Sequence, residues 1–238
     1  MGTKTFFTLI RHGHYKQPEG VPSAYLPYDL TNDGKEQAAK AARILLEFAK
    51  KNDLKIHYRI YSSVLLRAWR TAQLIAQNLS EELGESFEVN ETEKLCERSV
   101  GSLANLTVAE IEEIIDKDPR IENPPEGWKS NSNYKLPYPG AESLLDSGIR
   151  VLEFVEEALG RLEELERPKA LTIFVGHGAS IRHAAHKMHL LSLEDIKKLS
   201  MHYCSPVYFS QEKKTDGFKY QHFAGEWKIR SKNESARD

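Results

Sequence analysis

Short apolar runs and longer stretches with helical spacing take turns along most of this chain. Residues 5–10 (TFFTLI) and 170–176 (ALTIFVG) are near-continuous apolar runs, the pattern of strands buried on both faces. Residues 55–63 (KIHYRIYSS) and 86–91 (SFEVNE) read as two further strands. Between them, 32–52 sets Ala38, Ala42, Leu45 and Ala49 on one helical face behind Thr31, a side chain suited to an N-cap. Further helices are predicted over 64–84, closing on Gly84, over 106–118, opening near Thr107, and over 141–166, 179–189 and 192–200. Residues 205–230 alternate and turn at Asp216-Gly217, which predicts a terminal hairpin or meander. Residues 16–29 are rich in Pro and 119–140 in Pro, Asn, Gly and Tyr; both read as loops, the second long enough to carry function. The last eight residues, 231–238, read as a frayed tail.

Strands alternating with helices imply an α/β fold: three layers, α/β/α, with a mainly parallel sheet. No repeat or low-complexity linker interrupts it, so residues 1–238 are read as a single domain. Such sheets bind ligands just beyond the carboxyl ends of their strands.

Composition narrows the field. The 238 residues are 40% hydrophobic and 29% charged, with a formal net charge of -2, which points to a globular core and to neither nucleic acid nor an anionic membrane as partner. No apolar run is long enough to span a bilayer, and the amino-terminal apolar run stops at Arg11. Two distant cysteines, Cys96 and Cys204, make no disulfide framework, which favours a cytoplasmic setting.

The chemistry lies where two strands end alike. The first ends LIRHG, the other FVGHG, each placing a histidine and a glycine at the carboxyl end of a buried run. The sheet should bring His12 and His177 together, with Gly13 and Gly178 allowing a close backbone approach or a sharp turn. A neutral imidazole is a competent nucleophile toward phosphorus; a second, protonated, can hold the oxygens of a transferring phosphoryl group. Arg11 adjoins His12, and SSVLLRAWRTA puts Arg67 on the first turns of a helix, so two guanidinium groups can neutralise phosphate. Glu97, in LCERSVGSLANLT, is placed to protonate a leaving oxygen and then to activate water.

LIRHG, SSVLLRAWRTA, LCERSVGSL, PGAESL and VGHGASIRH occur in the order found in the histidine phosphatase superfamily, and the chain resembles its phosphoglycerate-mutase-like members from about Phe6 to His183. The resemblance implies a phosphohistidine intermediate on His12, a phosphate pocket of Arg11, Arg67 and His177, Glu97 as proton donor, and no metal or other cofactor. It implies a phosphorylated small molecule or a phosphoprotein as substrate and leaves the oligomeric state open. Many mutases and sugar phosphatases of the family carry Ser or Thr two residues after the RHG glycine and Asn five after it. Here those places hold Tyr15 and Pro18, Asn105 stands where glycine is frequent, and the 119–140 stretch is short. An opening of the form RHG-any-Tyr resembles the serine/threonine protein-phosphatase branch, which favours hydrolysis over transfer. Phosphomutase activity and non-catalytic phospho-ligand binding are the alternatives.

Other features take plainer readings. His14 and Tyr15 are candidates for the substrate loop. Tyr25, Tyr28, Trp128, Tyr134 and Tyr138 lie in the two loops expected to cover the pocket. His183, His186 and His189 are spaced like a helical stripe but have no completing carboxylate or cysteine, so a partly exposed helix face is expected rather than a zinc site. Neither cysteine has an arginine six residues on, and no G-x-S-x-G occurs, which argues against cysteine phosphatases and α/β-hydrolases. Asp116-Lys117-Asp118 follows a helix and runs into Pro119, unlike an aspartyl-phosphate site.

Overall fold

The computed structural model describes residues 4–22, 25–163, 169–215 and 217–230. The predicted tail 231–238, Asp216 of the predicted turn, and the end of the 141–166 helix beyond residue 163 lie outside the described residues.

One six-stranded sheet organises the chain. Its strands are β1 (Lys4–Arg11), β2 (Lys55–Ser63), β3 (Glu88–Thr92), β4 (Ala170–Gly176), β6 (Val207–Lys214) and β7 (Gly217–Ala224), in the order β3-β2-β4-β1-β6-β7. The first four pair in parallel, and β1–β6 and β6–β7 pair antiparallel. Two short strands, β5 (Leu199–Ser200) and β8 (Lys228–Ile229), form a separate antiparallel pair.

Strand periodicity divides the core into two layers. From β1, Ile10 packs with Ala38, Ala42 and Leu45 of α1 (Asn32–Lys51) and with Ala68, Ala72 and Ile75 of α2 (Leu66–Leu83); Ile173 and Val175 of β4 join them. Phe7, Leu9 and Phe174 point the other way. They meet Val151 and Val155 of α4 (Leu144–Glu163) and Ile181 and Ala184 of α5 (Gly178–Lys187). The hydrophobic pattern thus yields the α/β/α arrangement that it predicts.

Local signals fix the helix ends. Thr31 caps α1 by accepting from the Gly34 N–H at 3.1 Å, and Gly84 closes α2 in the left-handed region. Thr107 and Glu110 form a capping box on α3 (Val108–Lys117). Ser192 and Asp195 form another on α6 (Leu193–Lys198). The 119–140 loop is not mere cover. Trp128 and Leu136 are buried and, with Val100, Leu103, Ile111 and Ile115, make a third small core.

Candidate active site

Strand register decides which side chains meet. Arg11 of β1 lies opposite Gly176 of β4, and the His12 N–H donates to the Gly176 carbonyl at 3.0 Å. One residue further along each chain stand His12 and His177, their ring centroids 5.1 Å apart. β2 pairs Ser62 with Val175, so Ser63 arrives beside them and its Oγ lies 2.9 Å from His177 Nε2. The sheet therefore brings together the two histidines that the sequence pairs.

The hydrogen bonds of His12 assign its tautomer. Nδ1 lies 2.7 Å from the Gly13 carbonyl, so Nδ1 carries the proton and donates it there. Nε2 keeps its lone pair and accepts from Arg67 Nε at 3.3 Å. Arg67, on the first turn of α2, is wholly buried, and its Nη1 donates to the Leu26 carbonyl at 2.9 Å. Each arginine of the site faces an aromatic ring. Arg67 lies 4.7 Å from the ring centre of Tyr15, and Arg11 lies 4.2 Å from that of Tyr203. Arg11 also donates to the Met201 carbonyl at 3.1 Å.

Glycine serves contacts other than ligand approach. A Cβ on Gly13 would stand 2.5 Å from the Gly34 carbonyl oxygen, so Gly13 lets the loop after β1 lie against α1. A Cβ on Gly178 would meet the Arg11 side chain at 3.3 Å.

Glu97 lies after β3, as its motif requires, and its carboxylate caps the start of α5. Its Oε1 accepts from the N–H groups of Arg98 at 3.0 Å and Ser180 at 2.9 Å, and Oε2 from Ala179 at 3.1 Å. That fixes a carboxylate two residues beyond His177. The loop bearing Glu97 is itself gripped. Arg150 of α4 donates to the carbonyls of Lys94 at 2.7 Å, Cys96 at 3.2 Å and Glu97 at 3.4 Å, and forms a two-pronged pair with Glu142 at 2.7 and 2.8 Å. Glu142 also accepts from the Ser99 N–H at 3.1 Å. Glu142 is the acid of PGAESL, which the sequence reading quotes without a role.

Several expectations need correction. The surroundings of His177 oppose the protonated form that the sequence reading gives it. Burial, then the nearby Arg67 and His12, push its pKa well below the ordinary histidine range. Tyr15, a candidate for the substrate loop, is buried in the wall of the site, its ring 5.2 Å from that of His12. His14 is half-buried, with its Nδ1 3.0 Å from Thr31 Oγ1 and its ring 5.5 Å from that of Tyr203, which faces Arg11. The histidine stripe breaks up. His183 is buried, with Nε2 3.0 Å from Ser132 Oγ and Nδ1 2.8 Å from the Ala179 carbonyl. His186 bonds the Leu191 carbonyl, and His189 lies beyond the end of α5 at positive φ. Trp128, Tyr134 and Tyr138 pack into the third core instead of facing a ligand. From that loop, Lys129, Ser130 and Ser132 line a cavity of about 250 Å³ that also touches Glu97 and Ala179.

Sequence reasoning missed Ser63, Tyr203 and Arg150 as supports of the site. Ser63 lies inside a quoted motif, and Tyr203 lies in MHYCS, a stretch without periodic signal.

Paired histidines and arginines at the carboxyl ends of a parallel sheet define a class of enzymes that act on phosphorylated small molecules. Residues 7–221 match the histidine phosphatase superfamily (branch 1), and the chain belongs to that family. A relative from Nitrobacter hamburgensis, named 2,3-bisphosphoglycerate-dependent phosphoglycerate mutase, is 30% identical over 87% of this chain and 92% of its own. One of the same name from Rhizobium meliloti is 29% identical over 81% of this chain and 83% of its own. Among solved structures, the mycobacterial glucosyl-3-phosphoglycerate phosphatase superposes with a TM-score of 0.67 at 22% identity, covering 96% of this chain and 100% of that one, a likeness of fold. No described helix is long and apolar enough to cross a membrane.

Proposed function

We propose that the chain is a metal-independent phosphomonoesterase working through phospho-His12. The observation that carries this reading is the His12 ring: its Nδ1 proton is held by the Gly13 carbonyl, and its bare Nε2 lies beside Arg67 and across from His177. Nε2 attacks phosphorus in line, an N–P bond forms, and the ester P–O bond breaks. The Glu97 carboxyl gives its proton to the leaving oxygen. Arg11, Arg67 and His177 hold the oxygens in flight. Ser63 Oγ, which donates to Cys96 Sγ at 3.3 Å, lies 2.9 Å from His177 Nε2, and Nδ1 of that ring is a buried atom with no hydrogen-bond partner, available to a phosphate oxygen. In the second half, Glu97 as carboxylate takes a proton from water. The water oxygen attacks phosphorus, the N–P bond breaks, and His12 is restored.

Phosphomutase activity is the second reading, favoured by the name that both sequence relatives carry. Hydrolysis is preferred because Tyr15 and Pro18 stand where many mutases and sugar phosphatases of the family carry Ser or Thr and Asn, and the opening RHG-any-Tyr resembles the protein-phosphatase branch instead. Labelled bisphosphoglycerate separates the two readings, since label released as orthophosphate supports hydrolysis and label passed to monophosphoglycerate supports transfer. Hydrolysis of p-nitrophenyl phosphate should persist in excess EDTA and vanish in His12→Ala. The reverse of either result counts against the scheme.

A further inference from the structure

We propose that Cys96 is a positioning residue for His177. Its sulfur competes with His177 for the Ser63 proton and so holds the ring in the tautomer that cannot donate to a phosphoryl oxygen, a hold that the arriving phosphate must release. The inference rests on the phosphatase reading for what His177 faces, but its test needs no turnover. Ser63 ends β2, Cys96 stands one residue before Glu97, and both are wholly buried, as is His177.

Ser63 Oγ has one proton and two lone pairs to share. The Leu65 N–H donates to it at 3.2 Å and takes one lone pair. Two neighbours compete for the rest, Cys96 Sγ at 3.3 Å and His177 Nε2 at 2.9 Å. One proton cannot serve both, so one neighbour accepts it and the other must donate. Here Ser63 donates to Cys96. His177 Nε2 must then carry the ring proton and give it to Ser63, which leaves Nδ1 a bare lone pair, buried and without a partner. In the opposite arrangement Ser63 donates to Nε2, the Cys96 thiol donates to Ser63, and the ring proton sits on Nδ1. Ring, hydroxyl and thiol keep one proton each in both. Only the ring proton changes nitrogen, by exchange with solvent.

Burial pushes the Cys96 pKa up, so the side chain stays a neutral thiol able to play either part. With no ligand bound, the first arrangement costs less. It leaves an unused lone pair at Nδ1, whereas the second leaves an orphaned N–H, the rarer and costlier defect. The positive charges of Arg67, Arg11 and Arg150 near the ring also favour a lone pair there. A phosphoryl oxygen reverses the preference, since it accepts from an Nδ1 proton and repels a lone pair. Binding therefore selects the second arrangement and bears the cost of turning Ser63 over. The thiol cannot drift out of this contest. The Cys96 N–H donates to the Glu93 carbonyl at 3.0 Å, and the Cys96 carbonyl accepts from Arg150 at 3.2 Å.

The test is nitrogen NMR of the full-length protein labelled at histidine, in which the imidazole shifts report which nitrogen holds the proton and the His177 signals are assigned by their loss in His177→Asn. In the unmodified protein His177 should be protonated at Nε2 when free and at Nδ1 with orthophosphate bound. Cys96→Ala removes the competitor and should place the proton on Nδ1 already in the free protein. Orthophosphate binding to that variant, read by calorimetry, should tighten by roughly two- to tenfold, the range of one neutral hydrogen bond. Cys96→Ser keeps both a donor and an acceptor and should match the parent. In a Ser63→Ala background, Cys96→Ala should have no further effect, because the link between sulfur and ring is gone. An unmodified free protein already protonated at Nδ1, an unchanged tautomer in Cys96→Ala, or an effect of Cys96→Ala that survives without Ser63 overturns the proposal. Phosphohistidine formation is scored separately: the tautomer change without it keeps the role of Cys96 and rejects the phosphatase reading.

Discussion

His12 and His177 face each other at 5.1 Å between ring centroids, and only the parallel register of β1 and β4 puts them there. Burial, then Arg67 and His12, push the pKa of His177 well below the ordinary histidine range, which predicts that it contributes a hydrogen bond rather than a charge. An asparagine can supply a neutral donor and an alanine cannot. His177→Ala should lower kcat by about 10²–10³, the usual loss for one oxyanion-stabilising donor, and His177→Asn by clearly less. Steady-state kinetics on the two variants decides it; equal losses would mean that the ring acts as a cation.

Arg150 never touches the reacting atoms, yet it ties the carbonyls on either side of Glu97 to Glu142. Releasing that loop misplaces the proton donor, and misplacement by about 1 Å can cost on the order of 100-fold. Arg150→Met should therefore reduce kcat ten- to a hundredfold at nearly constant KM. Arg150→Lys should recover little, because an ammonium cannot form the two-pronged pair. A change confined to KM would instead assign Arg150 to binding.

Tyr203 lies under Arg11, with its hydroxyl 3.4 Å from Nη2. A cation–π contact of this kind contributes about 0.5–2 kcal/mol, or roughly two- to thirtyfold in affinity. Tyr203→Ala should weaken competitive inhibition by orthophosphate by that factor, and Tyr203→Phe, which keeps the ring face, should stay close to the parent. Inhibition constants that do not separate the two variants would remove Tyr203 from the site.

His183 makes stability depend on pH. Its folded pKa is about 4 against an ordinary 6.5, so between those values the unfolded chain binds a proton that the folded chain refuses. Stability due to this group is fully present above about pH 6.5 and is lost as pH falls toward 4. The gap corresponds to roughly 3 kcal/mol in all. Urea unfolding from pH 7 to pH 4.5 should show a steeper decline for the parent than for His183→Gln; parallel curves would contradict the assignment.

What could be read from sequence was whatever the local pattern encodes. LIRHG and FVGHG announce both the buried strand and the residue at its tip, and Thr31, Gly84 and Thr107 end their helices by rules of one or two turns. β3 is shifted from 86–91 to Glu88–Thr92 because an edge strand with mostly exposed side chains carries little alternation. The supports of the site could not be read. Tyr203 reaches Arg11, and Arg150 reaches the Glu97 loop, across chain separations that no spacing rule spans. His183 was misread as part of an exposed face because its burial depends on the loop carrying Ser132.

Millisecond quenching in alkali, followed by peptide mass analysis, addresses the central claim most directly. During turnover of a phosphomonoester in EDTA, the peptide containing His12 should carry one acid-labile phosphoryl group, and His12→Ala protein should carry none. Steady turnover with no phosphorylated histidine, or with the group on a residue other than His12, would contradict the account.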